Sequence, residues 1–178
     1  MNRVVKRARL IYNPTSGREE MKKRLPEILQ RLERGGFETS AHATIGEGDA
    51  TLAAAEAVRR GFDLIIAAGG DGTICEVVNG MAEKEGRPPL GILPLGTTND
   101  FARALGISLD PHESIESLKT AEPHLVDIGK ASDQYFMNIL AIGQVAESVS
   151  LVSAEQKTKL GSLAYLIEGF KALTSKDE

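Results

Sequence analysis

Asp63-Leu64-Ile65-Ile66-Ala67-Ala68-Gly69-Gly70-Asp71-Gly72-Thr73-Ile74 is the stretch that decides the fold. Asp63 to Ala68 is a continuous β-prone run, as expected of a strand covered on both faces. Gly69 to Thr73 then places three glycines in five positions. A helical pattern follows from Ile74 to about Ala82. A buried strand that passes through a glycine loop into a helix is the repeating unit of a parallel α/β sheet.

The same unit recurs on either side. Upstream, Ala8 to Tyr12 reads as a buried strand and Asn13-Pro14-Thr15-Ser16-Gly17 as a turn. Met21, Leu25, Ile28, Leu29 and Leu32 then lie on one helical face, at offsets of 4, 7, 8 and 11. Pro26 is expected to start the regular part of that helix or to kink it, and Gly35-Gly36 to end it. Phe37 to Ala43 is a weaker strand. Asp49 can cap an alanine-rich helix from Ala50 to Arg60, which Gly61 stops. Downstream, Leu90 to Leu93 reads as a strand, followed by Pro94-Leu95-Gly96-Thr97-Thr98-Asn99-Asp100 and a short helix to Leu105. Four such units predict a three-layer αβα domain with a mostly parallel sheet. Residues 111–120 look helical. Leu125 to Gly129 and Tyr135 to Ile142 read as two further strands, with a hairpin around Ser132-Asp133. Leu160 to Leu173 reads as an amphipathic helix with Leu163, Leu166, Ile167 and Phe170 on one face.

Composition bounds the rest. The 178 residues suffice for one domain and are marginal for two. At 42% apolar and 26% charged residues, the chain can bury a core. No apolar run approaches the length of a membrane-spanning helix. The apolar part of Met1 to Tyr12 is too short for a secretory signal. One cysteine, Cys75, excludes an internal disulfide framework, fits a reducing compartment and, with three scattered histidines, leaves no Cys/His zinc set. The net charge of −4 hides an asymmetry: residues 1–24 carry +6 and the remainder −10. The basic segment reads either as a solvated helix face or as a contact for an anionic ligand or lipid surface. A pI near 5.5 and the lack of an aromatic-studded basic stripe argue against nucleic acid.

Ligands of open α/β sheets bind beyond the carboxyl ends of the strands. Three glycine-bearing loops leave strands there: 13–17, 69–73 and 96–100. In the middle one, glycines expose backbone N–H groups at a helix start, which is a phosphate-binding arrangement. A tight turn is an equal reading of this pentapeptide alone. Asp71 fits beside phosphate if Mg²⁺ or its water shell lies between them, or if it accepts a hydroxyl hydrogen bond. The first loop adds the Ser16 hydroxyl, the close backbone of Gly17 and the charges of Arg18 and Lys22. The third supplies Thr97, Thr98, Asn99 and Asp100, of which Thr98 or Asn99 is expected to cap the next helix. Together the three loops favour nucleotide binding over turns. There is no G-x-x-x-x-G-K-[ST] loop, no G-x-G-x-x-G, no H-R-D loop and no G-x-S-x-G elbow.

Asn13-Pro14-Thr15-Ser16-Gly17, Gly69-Gly70-Asp71-Gly72-Thr73 and Gly96-Thr97-Thr98-Asn99-Asp100-Phe101-Ala102, in this order, resemble the catalytic domain of the diacylglycerol kinases, most closely the soluble bacterial lipid kinases. The resemblance runs from about Ala8 through Asp127-Ile128-Gly129, and more loosely to the end. It implies Mg²⁺-dependent transfer of the γ-phosphate of ATP to the hydroxyl of diacylglycerol or a related lipid, giving phosphatidate. Asn13, Pro14, Thr15, Ser16, Gly17, Thr44, Gly70, Asp71, Gly72, Thr73, Ile74, Cys75, Glu76 and Thr97 would line the nucleotide. Asp71 would lie beside the transferred phosphate, and Asp100 would support a metal or water network there. Asp127 would be the structural acid paired near Arg18, or a satisfied strand-end aspartate. A cytoplasmic enzyme in peripheral contact with anionic membrane is implied, and a homodimer is compatible with the family.

Three departures qualify this. Cys75 stands where the family usually has Asn, which would weaken one nucleotide contact; it reads as a small helix residue rather than a nucleophile. Ala141-Ile142-Gly143 is poorer in glycine than the family pattern. Family members also continue past the equivalent of Glu178 into a β-rich domain that supplies the general base and metal-site acids. Residues 1–130 are therefore expected to form the ATP-binding domain and 131–178 to lead toward that second domain. Nucleotide binding with little independent turnover is expected. NAD kinase, which shares the Gly-Gly-Asp-Gly cradle, and a non-catalytic nucleotide-binding module are the alternatives.

Overall fold

The computed structural model describes residues 5–17 and 20–138. The chain divides after Met137, so these residues fall almost wholly in its first unit. Strands β1 (Lys6–Tyr12), β2 (Phe37–Ala43), β3 (Leu64–Gly69) and β4 (Leu90–Pro94) alternate with helices α1 (Glu20–Arg34), α2 (Asp49–Arg59), α3 (Asp71–Met81) and α4 (Asp100–Ala104). Helix α5 (Pro111–Thr120) and a short hairpin of β5 (Gly129–Ala131) and β6 (Gln134–Phe136) follow. The four long strands form one parallel sheet in the order β2-β1-β3-β4. The chain leaves β1 toward β2 and later builds β3 and β4 on the opposite side. The crevice beyond the ends of β1 and β3 is thus the topological switch point, where open α/β sheets bind ligands.

The sheet is covered on both faces, and strand alternation decides which side chain goes where. Ala8, Leu10, Leu64, Ile66, Ala68 and Leu93 pack with Met21, Ile28 and Leu32 of α1 and Ile115 of α5. Ile11, Ile65, Ala67 and Ile92 pack with the alanines of α2, with Ile74, Val77, Val78 and Met81 of α3, and with Phe101 and Ala102 of α4. This is the three-layer αβα arrangement. Every residue of β3 is buried, which is why its sequence shows no polar alternation. Gly80 lets α2 and α3 come together: a Cβ there would stand 2.2 Å from the Thr51 carbonyl oxygen.

Several expectations change. Asp49 is not a cap; it is the first residue of α2, and the cap position before it is Gly48, at φ 80°, which has no side chain to offer. Helix α3 starts at Asp71, three residues before Ile74, so Asp71, Gly72 and Thr73 form its first turn and not a preceding loop. Neither Thr98 nor Asn99 caps α4 with its side chain. Leu125 to Gly129 is not a strand. Residues 121–128 have no regular structure, and Leu125, Val126 and Ile128 are exposed. Their apolar character is β-prone, but among the described residues only the last position, Gly129, has a ladder partner, Phe136. The hairpin around Ser132-Asp133 is present, with Ala131 opposite Gln134 and Ser132 at φ 54°. Helix α1 runs on through Pro26. The end of the Tyr135–Ile142 expectation, the Leu160–Leu173 helix, Ala141-Ile142-Gly143 and Arg18 lie outside the described residues.

Candidate functional site

The loops after β1, β3 and β4 emerge at the same edge of the parallel sheet, and β1 and β3 are joined there by the Asn13 amide, which donates to the Ala68 carbonyl at 3.1 Å. The loop after β1 folds on its own first residue. Asn13 Oδ1 accepts from the Thr15 amide at 2.9 Å and the Thr15 hydroxyl at 2.8 Å. The Ser16 amide donates to the Asn13 carbonyl at 3.2 Å.

The loops after β3 and β4 are built against each other. The Leu95 amide donates to the Gly69 carbonyl at 2.9 Å. A Cβ on Gly96 would stand 2.4 Å from Gly70 Cα, so only glycine permits this approach. Asn99, 5% exposed and in the left-handed region at φ 53°, turns its amide back on the loop. Its Oδ1 accepts from the Gly96 amide at 2.8 Å and its Nδ2 donates to the Gly96 carbonyl at 2.9 Å. Asp71 completes the junction: its Oδ1 accepts from the Phe101 amide at 3.1 Å, at the first turn of α4. An acid that would repel a neighbouring phosphate therefore stabilises an adjacent helix start, where its negative charge is favourable. Asp100 is the first residue of that helix and is exposed, so the structure brings the two acids to one helix start.

Glu76 acts in the same way on α2. Its Oε2 accepts from the Ala50 amide at 3.1 Å, and its carbonyl accepts from the Thr51 hydroxyl at 3.0 Å. This is the cap that α2 lacks locally, delivered from α3. The first-turn amides of α3 have no acceptor within their helix, and Gly70, in extended conformation, leads into them.

Between these elements lies a cavity of about 310 Å³, lined by Asn13, Pro14, Thr15, Thr44, Ile45, Gly46, Glu47, Ala50, Thr73 and Glu76. Six of the fourteen residues expected to line a nucleotide are in its wall: Asn13, Pro14, Thr15, Thr44, Thr73 and Glu76. None of the other six outside the core and the hairpin face lines it: Ser16 and Gly17 continue the β1 loop, Gly70, Asp71 and Gly72 lead into and begin α3, and Thr97 is on the loop after β4. Ile74 is fully buried in the core between α3 and the sheet, so its side chain is withdrawn from the cavity. Cys75 faces the hairpin: its thiol lies 3.5 Å from the Tyr135 carbonyl, and burial holds its pKa above the usual range. Four wall residues lie outside the expected set: Ile45, Gly46, Glu47 and Ala50. The signal for them is Gly46-Glu47-Gly48, a fourth glycine loop at the same edge, hidden behind a polar and weakly strand-like β2.

The basic leading segment is partly absorbed by the fold. The Arg7 guanidinium stacks over Phe62, 4.5 Å from the ring centroid, and Arg9 reaches the Ser40 hydroxyl at 3.0 Å. Asp127 lies in the exposed 121–128 stretch and not in a strand.

The family model for the diacylglycerol kinase catalytic domain matches residues 7–131. The chain is 55% identical over 177 residues to a diacylglycerol kinase of Bacillus subtilis, covering 96% of this chain and 57% of that protein. It is 51% identical over 166 residues to one of Staphylococcus haemolyticus, covering 93% and 50%. A crystal structure of a putative diacylglycerol kinase from Bacillus anthracis superimposes with a TM-score of 0.78 at 37% identity, over 94% of this chain and 55% of that one. The chain thus spans about half the length of the curated relatives it matches.

Proposed function

The chain belongs to the diacylglycerol kinase catalytic domain family, and on that premise we propose that it carries the nucleotide-binding part of an ATP-dependent lipid kinase. The observation that supports this reading most is the cavity at the switch point, walled by Asn13, Thr15, Thr44 and Thr73 beside the first turn of α3. The β1 loop and the 44–47 segment would enclose the nucleoside, and the amides of Gly72 and Thr73 would face the phosphates. Residues 1–130 would form this ATP-binding part, and 131–178 would lead toward the part that supplies the general base.

In the reaction, the lipid hydroxyl would give its proton to that general base, its oxygen would bond to the γ-phosphorus, the bond to the β-bridging oxygen would break and ADP would leave. With diacylglycerol as acceptor, the product is phosphatidate. Positioning and charge neutralisation dominate such transfers, and the loops of this chain supply the positioning. Among the described residues no group of three or more His, Cys, Asp or Glu side chains could hold a metal ion. One oxygen of Asp71 is already engaged by the Phe101 amide. Mg²⁺ would fit among the described residues as a partner of the nucleotide phosphates, with Asp71 and Asp100 offering outer contacts. Bound there, it would offset the charge of the triphosphate.

No helix among the described residues is long and apolar enough to cross a membrane. We assign the chain to the cytoplasm, in peripheral contact with an anionic bilayer through its basic leading segment. Binding to anionic vesicles should then weaken at high salt.

Titration calorimetry of the 178-residue chain with MgATP should show binding. Labelled phosphate transfer to diacylglycerol in mixed micelles should be weak for this chain and rise when it is extended to the length of its relatives. An extended protein with no MgATP affinity would overturn the reading. Displacement of ATP by NAD would move the chain to the NAD kinases.

A further inference from the structure

We infer that His42 is a positioning residue for the cavity: it locks the Asp49 carboxylate onto the Ile45 amide and so fixes the 44–48 loop as one wall of the site. The inference rests on the cavity being the nucleotide site proposed above.

The loop needs such a lock. It contributes Thr44 to Glu47 to the wall, yet little else holds it. Ile45 is 93% exposed, so no apolar burial anchors it. Gly46 and Gly48 add backbone freedom. Thr44 is tied to the sheet by its amide on the Tyr12 carbonyl at 2.9 Å, but the Asp49 amide reaches the Gly46 carbonyl only at 3.4 Å. The strongest tie at the centre of the loop is the Ile45 amide on Asp49 Oδ2, at 3.0 Å.

That oxygen also lies 3.0 Å from His42 Nε2. The other ring nitrogen, Nδ1, lies 3.4 Å from a terminal nitrogen of Arg9. A guanidinium only donates, so Nδ1 accepts, the proton is on Nε2, and Nε2 donates to Asp49. Arg9 is in turn held on the Ser40 hydroxyl at 3.0 Å. The register places Arg9 beside Ser40 and Ile11 beside His42, so β1 and β2 present Ser40, Arg9 and His42 from a fixed frame to Asp49 at the start of α2 and, through it, to the Ile45 amide. Hydrogen bonds from His42 first, and from Ile45 second, hold the Asp49 carboxyl below its usual range, in keeping with a carboxylate whose Oδ2 accepts from both.

H42F keeps the ring volume and removes the donor, whereas H42Q restores a donor to Asp49. In H42F the Ile45 amide should exchange with solvent about tenfold faster and MgATP should bind about tenfold more weakly, the scale of one charge-assisted hydrogen bond. H42Q should recover most of both. D49A, which removes the acceptor itself, should reproduce the H42F result and serves if H42F does not fold. Unchanged Ile45 exchange in H42F or D49A overturns the inference. So does faster exchange with unchanged MgATP affinity, or a loss that H42Q does not recover. If the unmodified chain binds no MgATP, the reading of the site falls, while Ile45 exchange still decides whether His42 locks the loop.

Discussion

The loops after β3 and β4 meet backbone to backbone, whereas among the described residues the loop after β1 is tied to its neighbouring strand β3 by a single hydrogen bond. The loops after β3 and β4 meet at Gly70 and Gly96 with no room for a side chain, and Asn99 and Asp71 pin the junction from either side. Among the described residues, the loop after β1 touches β3 through the Asn13 amide and makes its remaining hydrogen bonds within itself. The first pair is a fixed frame for donors that must not move. The second is a flap whose shape depends on one side chain. The proposed nucleotide site needs both: preorganised amides where phosphates would lie and an edge that would admit and release nucleotide.

The frame is most vulnerable at Gly96. In G96A the new methyl meets Gly70 Cα and Asn99 Oδ1 at 2.4 and 2.8 Å, and neither can yield without moving the junction. Urea unfolding should show a loss of about 2–3 kcal/mol, with MgATP binding abolished. A variant of unchanged stability would show that the two loops are not one frame.

Asp71 separates structure from chemistry. D71A removes the acceptor of the Phe101 amide and should cost about 1–2 kcal/mol. D71N keeps an oxygen there and should stay within about 0.5 kcal/mol of the parent. Both should weaken MgATP binding if the second oxygen works at the phosphates. If D71N binds MgATP normally, the residue is a cap and nothing more.

On the flap side, N13A deletes the acceptor shared by the Thr15 amide and hydroxyl. The loop is exposed, so the stability change should be small, about 0.5 kcal/mol. MgATP affinity should nonetheless fall several-fold, because the loop loses its preformed shape. A stability loss as large as that of G96A would place this loop in the frame and remove the contrast.

The frame is largely legible in the sequence. The uninterrupted Leu64 to Ala68 run announces a strand covered twice, and the single face of Met21, Leu25, Ile28, Leu29 and Leu32 announces its cover. The spacing of Ile74, Val77, Val78 and Met81 also places Ile74 in the core. Its position beside the glycine motif masks that. What the sequence hides are the long-range caps. Asp71 serves an amide 30 residues away and Glu76 one 26 residues away. No local pattern reports a partner at that distance. The 44–48 loop is equally hidden, because β2 is polar on alternate positions and gives no strong strand signal before Gly46. Leu125 to Gly129 misleads for the opposite reason: its side chains are β-prone, but strand formation also needs a partner to complete the ladder.

A gain in stability, and not a loss, is expected from within the frame itself. Gly72, in the first turn of α3, has open space where a methyl would stand, and its φ is not left-handed. By geometry alone, G72A is free to form, and replacing glycine in a helix should raise stability by about 0.5–1 kcal/mol. The nucleotide changes that balance. If its phosphates approach the first-turn amides, the methyl occupies the path of approach, and MgATP affinity should fall although the protein unfolds at higher urea. Opposite signs in one variant would mark a glycine selected for what comes close to it, unlike Gly96, whose neighbour is already there. Equal or improved MgATP binding in G72A would place the phosphates elsewhere.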